Sequence, residues 1–174
     1  MAVLISAFLA LAAIGLASVV VVHVAALLGA TGPFEHCLKY LGPGVFIVWL
    51  PTVLVMIRLT RDFKQKDVWR AALRGCPQWM RRLQWVIVGY AWVGGFALPI
   101  VFGGGMEAPA NAARSMSAVM LLFYSISVSV LYSATRADKL DESRRCLNGH
   151  RMAPLAKYCE ECGAPVATGI TQVR

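Results

Sequence analysis

The chain alternates between long apolar stretches and short polar ones. Four stretches stay apolar over about the 20 residues that a membrane-spanning helix requires. They cover residues 2–30, 38–57, 85–105 and 115–135. A basic loop at 58–84 separates the second stretch from the third, and a polar tail occupies 136–174. The pattern predicts an all-α membrane protein, with four transmembrane helices in residues 1–135 and a short C-terminal zinc ribbon, residues 146–165, in the tail.

The first apolar stretch could alternatively be a cleaved signal peptide, but it is longer than the apolar core of such a peptide. A signal peptide begins with a positively charged region and has an apolar core of about 7–15 residues. No Lys or Arg follows Met1, and the stretch runs without a charged residue from Ala2 to Ala30. We therefore expect it to be retained as the first span.

Composition supports the membrane interpretation. Of the 174 residues, 58% are hydrophobic and 15% are charged, and the mean hydropathy is +0.62. Soluble domains carry about 25% charged residues. The net charge of +8 would suggest a nucleic-acid partner in a soluble protein. Here that charge is concentrated in the basic loop and the tail, where membrane topology already accounts for it.

The basic residues predict the orientation. Arg58 to Arg82 holds eight Lys or Arg and two acids, and seven more Lys or Arg follow from Arg136 onward. Clustered Lys and Arg stay on the cytoplasmic side of a membrane. We expect a multi-pass protein of the cell (inner) membrane with both termini cytoplasmic, and with the weakly charged segments 31–44 and 106–113 outside.

The basic loop has its own local pattern. A short helix is predicted from Asp62 to Arg74, because Gly75 and Pro77 form a stop signal. Tryptophans at three positions lie among its Lys and Arg: Trp69, Trp79 and Trp85. Tryptophan with cationic neighbours is typical of segments at the lipid headgroups, so anionic lipid is a predicted partner of residues 58–84.

Small residues predict the faces through which the helices pack. In the fourth span Ser117, Ser125, Ser129 and Ser133 recur at multiples of four, hence on one side. The pairs Ala13 and Ala17, and Ala91 and Gly95, predict further contact faces. The alternative for the serine face is a polar path. Such faces also make a homo-oligomer a further hypothesis.

Two groups outside the tail could carry chemistry. His23 lies inside the first span. It could be a haem ligand or a proton relay, but a neutral, hydrogen-bonded packing histidine is the expected role. The consecutive Glu35, His36 and Cys37 are metal-ligating residue types, but adjacent residues rarely converge on one ion, and we expect ordinary loop residues.

The tail contains a definite metal motif. Cys146, His150, Cys159 and Cys162 form the pattern C-x3-H-x8-C-x2-C. Two short ligand pairs separated by a turn are the layout of a small tetrahedral zinc site. Gly149 and Gly163 permit the tight turns that such pairs need. The odd total of five cysteines argues against a disulfide framework.

A segment as small as the tail cannot bury a core of its own. Structural zinc supplies on the order of 10 kcal/mol of folding free energy in small peptides. With all four positions filled by protein, the site is predicted to be structural and not catalytic. The alternative, a redox CxxC pair, normally belongs to a thioredoxin-like domain, which this sequence does not contain.

These residues carry a resemblance. The segment CLNGHRMAPLAKYCEECGAPV resembles the short zinc ribbons at the ends of many bacterial and archaeal proteins, with Tyr158 where that pattern often has Phe. The stretch WLPTVLVMIRLTRDFKQKDVWRAALRGCPQWMRR is similar to uncharacterised bacterial four-span membrane proteins that end in a zinc ribbon. That resemblance implies an inner-membrane location and no known activity.

Two functions follow as hypotheses. The first is a non-enzymatic adaptor or scaffold, which presents a structural Zn²⁺ ribbon and a basic loop in the cytosol to a protein, anionic lipid or nucleic acid partner. The alternative is a membrane protein that binds a cofactor or small hydrophobic ligand, quinone or haem, in the helix bundle near His23.

Catalysis and nucleic-acid binding are the weaker hypotheses. The sequence contains no paired carboxylates, no Ser/His/Asp set and no open metal site, so we expect that the protein is not an enzyme. Five acids are interleaved with the basic residues of the tail, which disfavours nucleic acid as its partner.

Overall fold

The structure is a computed structural model of the full chain. It describes residues 2–29, 34–61, 63, 65–97, 109–142, 146–150, 152 and 157–165. The chain divides into two compact units, Met1–Thr135 and Arg136–Arg174. The first unit is built from helices, and the second contains the Cys/His motif.

Five α-helices make up the described helical part of the chain. They are α1 (Ala2–Leu27), α2 (Phe34–Thr60), α3 (Val68–Ala72), α4 (Gln78–Trp92) and α5 (Pro109–Glu142). A 3-10 turn, Gln65–Asp67, leads into α3, and a π-helical turn, Val93–Ala97, continues α4. The described residues contain no strand, only an isolated antiparallel bridge between Tyr158 and Pro165.

Three of these helices are long and apolar enough to cross a membrane. The spans are Val3–Leu27, Lys39–Thr60 and Asn111–Arg136. They correspond to the first, second and fourth predicted spans and indicate a membrane protein. The third predicted span, 85–105, is helical as far as Ala97, and its remaining residues lie outside the described part of the chain.

The predicted turn region 31–44, which overlapped the start of the predicted span 38–57, is wrong as a turn from Phe34 onward, because α2 includes Pro43 as well as Pro51. Contacts with α5 stabilise this part of the helix. The Tyr124 hydroxyl donates to the carbonyl oxygen of Leu41 over 3.1 Å. A Cβ at Gly44 would lie only 2.6 Å from the same hydroxyl, so glycine permits the close approach.

Two other helices are longer than the sequence indicated. The predicted fourth span, 115–135, lies within α5, which begins at Pro109 and ends at Glu142. Likewise, α4 begins at Gln78, seven residues before the predicted third span. Polar and charged residues in the first turn of a helix do not end it, so hydropathy locates the apolar middle of each helix better than its ends.

The predicted basic loop is correspondingly shorter. Its first residues, 58–60, belong to α2, and 78–84 belong to α4. The helix predicted over Asp62–Arg74 is reduced to the 3-10 turn and to α3. The predicted stop is correct, since α3 ends before Gly75 and α4 begins directly after Pro77.

Helix α5 lies at the centre of the first unit. Within its candidate span, 61% of the 18-residue apolar stretch is buried. The corresponding fractions are 17% for α1 and 11% for α2. Its Met120, Tyr124 and Leu131 form a cluster with Ala12 of α1 and Val48 of α2, among others. The more exposed helices α1 and α2 therefore present the larger share of apolar side chains to lipid.

The contact face of α1 differs from the predicted one. Ala13 and Ala17 are exposed, whereas Ala12, Gly15 and Val19 are buried. A Cβ at Gly15 would overlap the ring of Tyr124 of α5 at 2.2 Å, so only glycine leaves room for the ring at this position. The predicted face containing Ala91 and Gly95 is confirmed, because both residues are buried.

Candidate metal centre

The four predicted ligands come together in the second unit. The ligand atoms of Cys146, His150, Cys159 and Cys162 all lie within 4.8 Å of one another, so these residues could hold a metal ion. Among the residues that the structure describes, this is the one group of three or more metal-ligating side chains that could do so. The two sequence-separated pairs of the motif thus converge on one site.

Each ligand pair is held by a tight turn. The backbone N–H of Gly149 donates to the carbonyl oxygen of Cys146 over 2.9 Å, and that of Gly163 donates to the carbonyl oxygen of Cys159 over 2.9 Å. Both glycines have positive φ, 83° and 69°, which other residues adopt only with strain. The glycine positions identified in the sequence are therefore required by the backbone of the turns.

Two of the distances between ligand atoms fit a tetrahedral ion. With Zn–S near 2.3 Å and Zn–N near 2.0–2.1 Å, tetrahedral geometry places ligand atoms about 3.6–3.8 Å apart. The Sγ atoms of Cys146 and Cys162 are 3.7 Å apart. The Sγ atom of Cys159 is 3.8 Å from Nδ1 of His150. The site is compatible with zinc.

Backbone amides favour thiolates at two of the cysteines. The backbone N–H of Cys162 is the main cause of a lowered pKa at Cys159. Burial acts to raise the pKa of Cys146, but the backbone N–H groups of His150 and Asn148, together with hydrogen bonds to the other two cysteine thiols, outweigh it and lower that pKa. Thiolates are the metal-binding form of cysteine, so the turns prepare these two ligands for a cation.

The third thiol behaves differently. The backbone N–H of Ala164 acts to lower the pKa of Cys162, but burial and hydrogen bonding to Cys159 and Cys146 outweigh it and raise the pKa. Three clustered thiols therefore retain a proton that a bound divalent cation would displace. Oε2 of Glu161 lies 3.6 Å from Nδ1 of His150 and adds negative charge beside the site.

The described residues of the second unit form only a very small apolar core. Cys146, Met152 and Cys159 form its buried cluster, with Ala164 packed against it. By contrast, two large side chains next to ligands are exposed. Leu147 is 68% exposed and Tyr158 is 64% exposed. With so few buried side chains among the described residues of this unit, a bound metal would be its main source of stability.

His23 is buried in the first unit with both ring nitrogens hydrogen-bonded. Ser117 Oγ donates to the carbonyl oxygen of Ala113 over 2.6 Å, so it accepts a hydrogen bond from Nδ1–H of His23 over 2.8 Å. In that tautomer Nε2 is an acceptor, and the Tyr90 hydroxyl donates to it. The two rings meet edge to face, with centroids 5.4 Å apart.

This arrangement matches the expected packing histidine. His23 is only 7% exposed, and a neutral ring has both nitrogens satisfied. A haem iron could bind His23 only after one of the two hydrogen bonds had broken. Ser117 belongs to the predicted serine face, whereas Tyr90 was not identified from the sequence. A hydroxyl inside an otherwise apolar stretch was the available signal.

The predicted serine face of α5 is confirmed as a packing face. Ser117, Ser125, Ser129 and Ser133 are all buried. Gln84 of α4 donates to Ser125 Oγ over 3.2 Å and accepts from Ser129 Oγ over 3.1 Å. Gln84 was predicted to lie in the basic loop, so its role here was missed.

The same face holds the segment that precedes α4. The backbone N–H of Gly75 donates to Ser133 Oγ over 3.0 Å, and Cys76 Sγ donates to the carbonyl oxygen of Ser129 over 3.1 Å. A Cβ at Gly75 would approach the carbonyl oxygen of Ser133 to 2.5 Å. Only glycine fits at this contact without a shift of the backbone.

At the opposite end of the unit, Arg114 joins α5 to α1. Its Nε donates to the carbonyl oxygen of Ala26 over 3.1 Å. One of its terminal guanidinium nitrogens lies 3.5 Å from the carbonyl oxygen of Leu27. These carbonyls belong to the last turn of α1, where a cation is favourable. The N-terminal end of α5 therefore meets the C-terminal end of α1.

The consecutive residues Glu35, His36 and Cys37 were expected to be ordinary loop residues, but they lie in the first turn of α2. Cys37 is exposed and free. The side chains of Glu35 and His36 lie outside the described part of the structure. No protein-family model, curated protein or solved structure matches this chain.

Proposed function

We propose that this protein is a non-enzymatic membrane adaptor, in which a zinc ribbon on the cytosolic side of a four-helix anchor docks a cytosolic protein. The observation that carries the proposal is the convergence of four protein ligands on one site. A site whose four positions are all filled by protein is structural, since a catalytic zinc keeps one position open. The ribbon then serves as a folded surface and not as a reaction centre.

Four spans account for the contacts at the two ends of the first unit. Gly75, which precedes α4, contacts Ser133 near the C-terminal end of α5. Arg114, near the other end of α5, contacts Ala26 of α1. We therefore infer that the chain crosses the length of the unit between Gly75 and α5, and we assign this crossing to the apolar stretch 85–105. These contacts support a fourth crossing there.

The cytosolic orientation rests on charge. With four crossings, the segment before α4 and the C-terminal unit lie on the same side. Both are rich in Lys and Arg, so the positive-inside rule assigns that side to the cytosol. We infer an inner-membrane protein whose metal centre faces the cytosol.

The exposed side chains of the ribbon favour protein as the partner. Leu147 directly follows one cysteine of the site, and Tyr158 directly precedes another. Both side chains are mostly exposed. Large apolar and aromatic side chains supply much of the binding energy at protein interfaces. Glu160 and Glu161 are exposed in the second turn and would repel the phosphates of a nucleic acid.

The test is photo-crosslinking in intact cells. A photoreactive phenylalanine derivative in place of Leu147 or Tyr158 is expected to give a specific adduct with a cytosolic protein. The same derivative at Tyr40, 75% exposed in the first unit, is the matched control. The adduct should disappear when Cys159→Ser removes a metal ligand. Absence of an adduct at both ribbon positions, or the same adduct at Tyr40, would contradict docking through the ribbon.

A further inference from the structure

We infer that the first unit has a binding surface for anionic phospholipid headgroups, separate from the metal centre and independent of the adaptor proposal. We name it the interfacial patch. It consists of four cationic side chains and three tryptophans: Arg61, Lys66, Arg70 and Arg82, with Trp69, Trp79 and Trp85. All seven side chains are exposed. They belong to α3, to the N-terminal part of α4 and to the segment just after α2.

The patch has a strong positive charge. Among the described residues of 58–84, Asp67 is the one acidic side chain. Arginine and lysine near a membrane surface are attracted to anionic lipids, and each contributes about fivefold in affinity. Arginine also binds a phosphate with two parallel hydrogen bonds. The headgroup phosphate of an anionic lipid is thus the complementary ligand.

The tryptophans place these cations at the depth of the headgroups. Trp69, Trp79 and Trp85 are 41%, 65% and 59% exposed. Arg82 lies three residues after Trp79 and three before Trp85, so one helical turn separates it from each. Exposed indole rings are unfavourable in water, whereas they are favourable at the membrane interface. The mixture of indole rings and guanidinium groups therefore fits a lipid surface better than a soluble partner.

The patch is held in place before any lipid binds. The rings of Trp69 in α3 and Trp85 in α4 pack edge to face, with centroids 6.4 Å apart. Behind them, Arg74 donates to the carbonyl oxygen of Leu59 over 3.0 Å and stacks over Phe63 at 5.3 Å. A preorganised surface loses little conformational entropy on binding, so the patch can discriminate between headgroups.

The experiment uses the full-length protein in bilayers with brominated lipids, which quench nearby tryptophan fluorescence. Trp49→Phe and Trp92→Phe leave the three patch tryptophans as the only reporters. We expect brominated phosphatidylglycerol to quench more than brominated phosphatidylcholine at equal mole fraction. Equal quenching by the two lipids would overturn the inference.

A charge variant separates the patch from general attraction to the membrane. Arg61→Gln, Lys66→Gln and Arg70→Gln together should remove most of the excess quenching, about fivefold in relative affinity for each charge. Lys39→Gln, an exposed cation near the other end of α2, should leave it unchanged. Circular dichroism would show that both variants fold. Excess quenching that survives the triple substitution would refute the patch as the binding surface.

Discussion

His23 shows how the environment of one residue decides its chemistry. A histidine in a span is a candidate for cofactor binding, but here both ring nitrogens have hydroxyl partners, Ser117 and Tyr90. A buried polar group without a partner costs about 1–3 kcal/mol. The two hydroxyls therefore explain how a buried histidine is tolerated between α1, α4 and α5.

Tyr90→Phe tests this account at the level of one hydroxyl. The substitution leaves Nε2 of His23 without a donor, so we expect a loss of about 1–3 kcal/mol in the free energy of unfolding. The measurement is detergent-induced unfolding followed by circular dichroism. Tyr40→Phe, which removes an exposed hydroxyl, is the control and should have little effect. Equal stability of the two variants would show that the hydrogen bond contributes nothing.

Sequence patterns identified some of the polar residues that join the helices and missed others. The serines of α5 were identified because their spacing of four repeats along one side of the helix. Gln84, Tyr90 and Arg114 were missed because each is a single polar residue whose partner lies on another helix. No periodicity marks a lone residue, so only the tertiary structure reveals its role.

At the scale of elements, α1 illustrates the limit of hydropathy. It is apolar on every side, so its sequence indicates a span but not which side contacts the neighbours. The exposed Ala13 and Ala17 and the buried Ala12 differ only in their position around the helix. The contact side is set by Tyr124, whose ring fits only against a glycine.

The docking of the segment before α4 depends in the same way on Gly75. In Gly75→Ala the new Cβ would meet the Ser133 carbonyl oxygen, which is backbone and cannot move easily. Such overpacking costs about 1–3 kcal/mol. We expect trypsin to cleave after Arg70 or Arg74 about tenfold faster or more, measured by mass spectrometry of the fragments.

Gly89→Ala is the control for this substitution. A Cβ at Gly89 would meet nothing within 4 Å, and alanine favours helix. Its cleavage rate should equal that of the unaltered protein. If Gly75→Ala is cleaved no faster than Gly89→Ala, the close contact with α5 does not hold the segment.

At the scale of the whole molecule, the two units derive their stability from different sources. The first has a central helix, α5, that is mostly buried by its neighbours. Among its described residues the second has a cluster of three buried side chains, too small to stabilise a folded unit without a metal or another cross-link. The four residues that converge in the candidate metal centre could be predicted because their spacing is short and local. The packing of the helices could not, because it depends on contacts distant in sequence.

The most direct test of this account is the metal content of the purified full-length protein, measured by elemental analysis. We expect about one zinc per chain, and its loss in Cys159→Ser. Cys37→Ser, which alters an exposed cysteine outside the cluster, should retain the metal. A protein without zinc, or with zinc that persists in Cys159→Ser, would contradict a structural zinc site formed by Cys146, His150, Cys159 and Cys162.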